Sequence, residues 1–279
     1  MQTFGFKQPF EFTEVGGVRP VDPLFPYQDV WWRFDGTRAD SYVYSTSPKV
    51  SKLGDVSGNG NTFYRVDPLY EGDRVGNALY INDDTSNERY ERYIPFELSE
   101  PFNKSFSVYS VLKIADTGAS TACELLQTRT GGANVQTFLR QAGGGFKVGT
   151  TGMSGVGTNV TSNTFAFDAI TVVCSRHDNS ASGAGSTCIN GIEGVSWTGN
   201  MNTTSGVWAN PSKLAARVHQ GNNTGKDFYL YEMIIFARRT SDAEHIKILD
   251  YLNEKWSIWQ SVTSSGNTVT FNGNTVITV

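Results

Sequence analysis

The sequence predicts a mostly β, layered fold, and three observations support this. Apolar residues make up 38% of the 279 positions and charged residues 18%, with 29 glycines and long Ser/Thr/Asn stretches, a balance that favours strands and tight turns. Several segments alternate apolar and polar residues, or run continuously apolar for a strand's length. Helical periodicity is clear in one place, near the C-terminus. A chain of this length can form one large β domain.

The first segment, residues 1–27, reads as an extended arm. In RPVDPLFPYQD, Pro20, Pro23 and Pro26 recur every third residue, which favours a polyproline-like strand without ladder donors. The main domain, 28–260, opens with WWRFDG, where the pleat is expected to send one of Trp31 and Trp32 inward and the other outward. SFSVYSVLKIA places Phe106, Val108, Leu112 and Ile114 on one face, and FAFDAITVVCS becomes a continuous apolar run, as in a strand covered on both sides. DFYLYEMIIFA is apolar on both faces, with Phe228, Leu230, Ile234 and Phe236 on one and Tyr229, Tyr231, Met233 and Ile235 on the other. Gly-rich stretches between these strands supply turns and long loops. In RRTSDAEHIKILDYLNEKW, Ser241 and Glu244 form a capping box, and Ala243, Ile246, Leu249, Leu252 and Trp256 recur as one stripe expected to be buried. The last segment, 261–279, repeats GNTVT and GNTVI around Asn272-Gly273, a hairpin signal for a small β appendage.

A formal charge of −4 without a basic cluster argues against a nucleic-acid partner. No window approaches the ~20 apolar residues of a membrane span, and MQTFGFKQPFEF lacks a signal-peptide pattern, so neither membrane insertion nor secretion is expected. Three cysteines fit a reducing cytosol. A hairpin centred on Ala181 would nonetheless set Cys174 opposite Cys188, where a bridge is geometrically allowed; two reduced, buried thiols are the expectation. Met1 and the terminal strand TVITV suggest a complete gene product.

Three stretches in order resemble the LamG-like branch of the concanavalin A-like lectin/glucanase superfamily: WWRFDG with DVSGNGN some twenty residues on, ITVVCSRHD followed by GSTCINGIEG, and FYLYEMIIFARRTSDAEHIKILDYLNEKW. The resemblance spans roughly 28–258 and implies an antiparallel two-sheet jelly-roll sandwich with one C-terminal helix. Glycoside hydrolases of that superfamily carry an E-x-D-x-E strand, which is absent here. Glu97 and Glu100 flank a serine between prolines, and Glu232 stands alone, expected to face solvent or an arginine such as Arg238. The expectation is a chain that is not an enzyme.

DVSGNGN raises the question of calcium. Asp55, Ser57, Asn59 and Gly60 match half of an EF-type loop, but the twelfth position is Val66 rather than glutamate. The stretch then reads as a turn in which Asp55 caps backbone two residues on. Recruitment of Ca2+ with Asp35 or Asp83 is the weaker alternative, and no cofactor is the expectation. His177, His219 and His245 fall on loop, loop and helix, without zinc-site spacing. Trp197 and Trp208, in a Gly/Asn-rich run, are the glycan-binding candidates, either as exposed platforms or as half-buried plugs.

These features suit a structural protein of a bacteriophage virion, a capsid decoration or tail/fibre component assembled in the host cytoplasm. Residues 1–27 and 261–279 would contact other virion proteins, the chain could form a homotrimer, and a cell-surface glycan could be bound weakly. A carbohydrate-binding module of a cellular or secreted protein is the alternative, and a glycoside hydrolase with an unfamiliar site the minority one.

Overall fold

The computed structural model describes residues 27, 29–65, 72–81, 90–93, 105–115, 123–129, 135–142, 145–150, 168–178, 184–198, 215–221, 228–258, 262–265, 268–271 and 274–278. The strands are β1 (Val30–Asp35), β2 (Tyr42–Thr46), β3 (Lys49–Leu53), β4 (Phe63–Arg65), β5 (Asp73–Val75), β6 (Ala78–Ile81), β7 (Tyr90–Tyr93) and β8 (Phe106–Ile114). They continue as β9 (Cys123–Arg129), β10 (Val135–Ala142), β11 (Gly145–Thr150), β12 (Thr171–His177), β13 (Ala184–Ile189), β14 (Ile192–Thr198), β15 (Ala215–Gly221) and β16 (Phe228–Phe236). Helix α1 spans Asp242–Trp256, and β17 (Val262–Ser265), β18 (Thr268–Phe271) and β19 (Asn274–Thr278) follow it.

The fold is the expected antiparallel all-β sandwich with one C-terminal helix. Its hydrogen bonds, however, join the first 16 strands into one array, β11-β10-β9-β15-β7-β4-β3-β5-β6-β16-β8-β12-β13-β14, with β1 on β16 and β2 on β3, rather than into two separate sheets. The array folds over on itself: Trp32 of β1 packs 4.5 Å from the Phe63 ring of β4, and Phe34 meets the edge of Tyr42. The C-terminal hairpin is present as β18–β19 and is widened by β17 into a small sheet of its own. Among the described residues, no helix is long and apolar enough to cross a membrane.

Strand β12 is buried on both faces, in keeping with its apolar run; β8 is buried on both faces as well, Ser107 and Ser110 included, where its alternation predicts one apolar face. One face carries Tyr109, Val111, Val172, Cys174, Ile234 and Phe236, and α1 lies against it through Ile248, Leu249, Tyr251 and Leu252. Of the stripe that its apolar spacing suggests, Leu249 and Leu252 are buried and Trp256 packs against the core, but the N-terminal members are not inward. Ala243 is exposed and Ile246 is 40% exposed, whereas His245 and Tyr251 are buried. Apolar periodicity misses part of the face because these two polar members find partners on the sheet. Cys174 and Cys188 sit opposite each other in the β12–β13 ladder and are bonded, so the expectation of free thiols is corrected.

A bulge in β16 between Leu230 and Glu232 breaks the predicted two-face assignment. It re-aims the strand so that Tyr231 and Glu232 both come under α1, Tyr231 edge-on to Trp256. A second irregularity, in β1 between Val30 and Trp32, brings both tryptophans against Phe63 instead of splitting them cleanly; Trp32 is fully buried and Trp31 half-buried.

Gly36 seals the first bulge. Its N–H donates to the Tyr231 carbonyl at 2.7 Å, and a Cβ at this position would lie 2.0 Å from the Asn77 carbonyl oxygen and 2.7 Å from that of Tyr231. Backbone on two sides cannot retreat as a flexible side chain would. Gly36→Ala is expected to lower the unfolding free energy by about 1–3 kcal/mol, read by urea denaturation, whereas an effect within ~0.5 kcal/mol, as at an ordinary surface site, would show that the close approach is not maintained.

Candidate functional site

The richest cluster of chemistry-bearing residues lies where β1 and β16 meet the C-terminal half of α1. Asp35 and Glu232 are direct cross-strand partners, an arrangement of like charges that is unfavourable without cations. Two cations supply the compensation. The Arg33 guanidinium donates from Nε to Glu232 Oε1 at 2.9 Å and from Nη2 to Asp35 Oδ2 at 3.1 Å. Lys255 donates to Asp35 Oδ2 at 2.5 Å and to Glu232 Oε2 at 2.8 Å. Trp256 Nε1 also donates to Glu232 Oε2 at 2.8 Å, and the Tyr251 hydroxyl accepts from Arg33 Nη2 at 2.5 Å.

The four charges sum to zero, and all but Lys255 are essentially out of solvent. Burial alone would raise the Asp35 pKa, but Lys255 and Arg33 outweigh it and hold the carboxyl below the ordinary aspartate range. Of the alternatives expected for Glu232, an arginine partner holds and solvent does not: it is buried on Arg33 rather than on Arg238, which pairs with Glu244 and Asp29. Packing across 199 residues of sequence decides this, and local pattern could not.

The other end of α1 is fixed separately. The Ser241–Glu244 capping box is present, and Arg238 forks onto both Glu244 oxygens at 2.8 Å. Those hydrogen bonds outweigh burial and draw the Glu244 pKa down to about 2, assisted by Ser241. Beneath the first turn, the Tyr109 hydroxyl lies 2.6 Å from Thr240 Oγ1 and 3.1 Å from His245 Nδ1, and Thr240 N donates to Ser107 Oγ at 2.9 Å.

DVSGNGN follows β3 and binds along the edge of β1. Asp55 Oδ1 accepts from Arg33 N at 3.1 Å, Ser57 N at 2.9 Å and Ser57 Oγ at 2.5 Å, and Oδ2 accepts from Asn61 N at 2.8 Å. Val56 N donates to the Arg33 carbonyl at 2.9 Å, while the Asn59 and Asn61 amides donate to the carbonyls of Val30 and Trp31. Gly58 and Gly60 take φ of 91° and 73°, which lets the loop double back. The stretch thus covers polar backbone that an edge strand would leave open.

Of the calcium candidates, Asp35 and Asp55 are buried with their carboxylates engaged as above, and Asp83 lies outside the described residues. Trp197 falls on β14 opposite Gly185, with its side chain outside the described set, and Trp208 lies wholly outside it. His177 and His219 fall on strands β12 and β15 rather than on loops. Cys174, Cys188 and His245 converge in the core, where the cysteines are already bonded to each other. The described surface offers aromatic residues that sequence reasoning passed over. Val43, Lys52 and Tyr64 are cross-strand neighbours on one face of β2, β3 and β4, with Val43 41% and Tyr64 49% exposed. Their strand-mates Tyr42, Leu53 and Phe63 face the core.

No family model and no curated protein matches the sequence. Among solved structures, the chain is similar to Trypanosoma rangeli sialidase in complex with sialic acid, with a TM-score of 0.60 and 12% identity over 82% of this chain and 34% of that one. The same sialidase in another structure gives a TM-score of 0.58 and 13% identity over 85% and 35%. A receptor-binding domain gives 0.51 and 11% over 88% and 61%. The chain therefore spans about a third of the sialidase's length, and at these identities the likeness is one of fold.

The expectation that the chain is not an enzyme is contradicted by these matches, since a fold similar to this one makes up about a third of a sialidase. It rested on the missing E-x-D-x-E strand, a test that covers two-carboxylate glycosidases alone; sialidases act through a tyrosine nucleophile.

Removing Glu232 would leave Arg33 and Lys255 to share one buried carboxylate. Glu232→Ala is expected to cost about 3–5 kcal/mol of stability, measured by chemical denaturation, and a loss below ~1 kcal/mol would show the ion cluster to be loosely solvated. Both Asp35 and Glu244 have depressed folded-state pKa values, so their stabilisation is complete above the ordinary carboxylate range and is lost as pH falls through the folded values. The melting temperature should hold above pH 5 and decline from about 4.5 towards 2, less steeply in Glu244→Gln; an unchanged slope in that variant would refute the assignment.

Proposed function

We propose that this chain is a glycan- or receptor-binding β-sandwich, carried on a bacteriophage virion as a capsid decoration or tail/fibre component. The observation that carries binding is the outward row Val43–Lys52–Tyr64, in which an exposed valine and an exposed tyrosine flank a lysine while the alternate residues fill the core. The Lys52 ammonium lies 5.1 Å over the Tyr64 ring and holds it in place. The fold supports the reading by analogy, because it is similar to a sialidase that holds sialic acid and to a receptor-binding domain. Trp197 and Trp208 remain the candidates for a second contact.

The virion setting draws on the LamG-like stretches, the proline-spaced arm and the separate β17–β19 sheet. Residues 1–27 and 261–279 would hold neighbouring virion proteins or a homotrimer. The reading needs no cofactor, and a calcium ion at Asp35 or Asp55 would have to displace the donors already there. A carbohydrate-binding module of a secreted protein is the second reading, favoured by the Cys174–Cys188 bond, which persists in oxidising surroundings.

A glycan array probed with the full chain, alongside mass spectrometry of purified phage particles, tests both halves. Binding to a defined glycan that falls at least about tenfold in Tyr64→Ala, with the chain present in particles, is the expected result. Absence of glycan binding removes the recognition role, and absence from particles removes the virion role.

A further inference from the structure

We propose that Arg74 and Tyr44 form a recognition point for the carboxylate of an acidic sugar. Arg33, Arg38, Arg176 and Arg238 each meet a carboxylate. Arg74 of β5 meets none among the described residues, and the acid beside it, Asp73, pairs with Lys49 instead. The Arg74 guanidinium is nevertheless held in one pose. Its Cζ lies 4.7 Å over the buried Tyr42 ring, Nε donates to the Gly76 carbonyl at 3.2 Å, and Nη1 donates to the Tyr44 hydroxyl at 3.0 Å. Tyr44 is stacked on Tyr42, with centroids 6.1 Å apart and planes 13° from parallel, yet is 37% exposed.

An arginine fixed by a ring, a carbonyl and a hydroxyl gives up little side-chain freedom on binding, and the rest of its planar fork suits a carboxylate. Tyr44 adds an aromatic surface against which the C–H face of a pyranose can rest. Positive charge lacking an acid, beside an exposed ring, selects a carboxylated pyranose over a neutral one. This inference rests on the glycan-binding reading and narrows it to a ligand class and a contact.

The experiment compares affinities of the full chain, by titration calorimetry, for sialylated and uronate-containing oligosaccharides, their methyl esters and their neutral counterparts. A free acid of either kind should bind at least about tenfold tighter than its ester, since a charge-assisted fork contact is lost on esterification. Which acid binds distinguishes an ulosonic from a uronic ligand. Arg74→Ala should abolish the preference, and Arg74→Lys should retain only part of it, both with melting temperatures near that of the parent chain. Equal binding of acid and ester, preference for neutral sugars, or an unchanged preference in folded Arg74→Ala would overturn the proposal while leaving glycan binding intact. Equal binding of an acidic peptide would also overturn it, by reducing the contact to charge alone. If the parent chain binds no sugar at all, the proposal fails together with the reading beneath it. Should Arg74→Ala not fold, the acid-to-ester ratio of the parent chain decides.

Discussion

Two carboxylates face each other across the β1–β16 ladder, and much of the described structure serves to make that tolerable. Asp35 and Glu232 would repel if left alone, and repulsion between buried charges is little screened. Arg33 comes from the same strand as Asp35, two residues earlier, so the pleat delivers it to the same face. Lys255 comes from the last turn of α1, one helical turn beyond Tyr251, so the helix must dock before the charges balance. The cluster is therefore a condition on tertiary structure: strand pairing without the helix leaves two anions short of a cation. Such clusters cost desolvation and add less to stability than their short distances suggest, but they penalise any arrangement in which one member is missing.

The same strand organises the opposite face. Trp32 and Phe34 enter the core between the folded halves of the array, and Gly36 admits the β16 bulge that turns Glu232 under the helix. DVSGNGN closes the remaining edge by supplying donors to the carbonyls of Val30, Trp31 and Arg33 and an acceptor to the Arg33 amide. WWRFDG and DVSGNGN act on each other: one is an edge strand and the other is its cover. The two contacts proposed above both lie on β2–β5 but are separate: Tyr64 stands beside Lys52 on the outward row, and Tyr44 beside Arg74 on the side of Tyr42.

Much of this architecture was legible in the residues. The capping box, the doubly buried β12, the cross-strand cysteines and the turn role of Asp55 all follow from local rules about spacing and side-chain chemistry. What failed depends on contacts between distant segments. A bulge leaves no mark on hydrophobic alternation, so the spacing alone does not bring Tyr231 and Glu232 under the helix together. The stripe of α1 is right at Leu249, Leu252 and Trp256 and wrong at Ala243 and Ile246, because His245 and Tyr251 count as polar until Tyr109 and Arg33 are set beside them. The partner of Glu232 is fixed by strand pairing that joins the two ends of the domain. Local pattern does not single out Arg74, because only the folded chain shows that Asp73 pairs with Lys49 and that Arg74 meets no carboxylate among the described residues.

A double-mutant cycle on Glu232 and Lys255 tests the linked-charge account most directly. With Glu232→Gln, Lys255→Met and the pair compared by urea denaturation, the account predicts a coupling of about 1–3 kcal/mol, because each group is stabilised mainly by the other's presence. Effects that add to within about 0.5 kcal/mol would contradict it and reduce the seam to independent surface contacts.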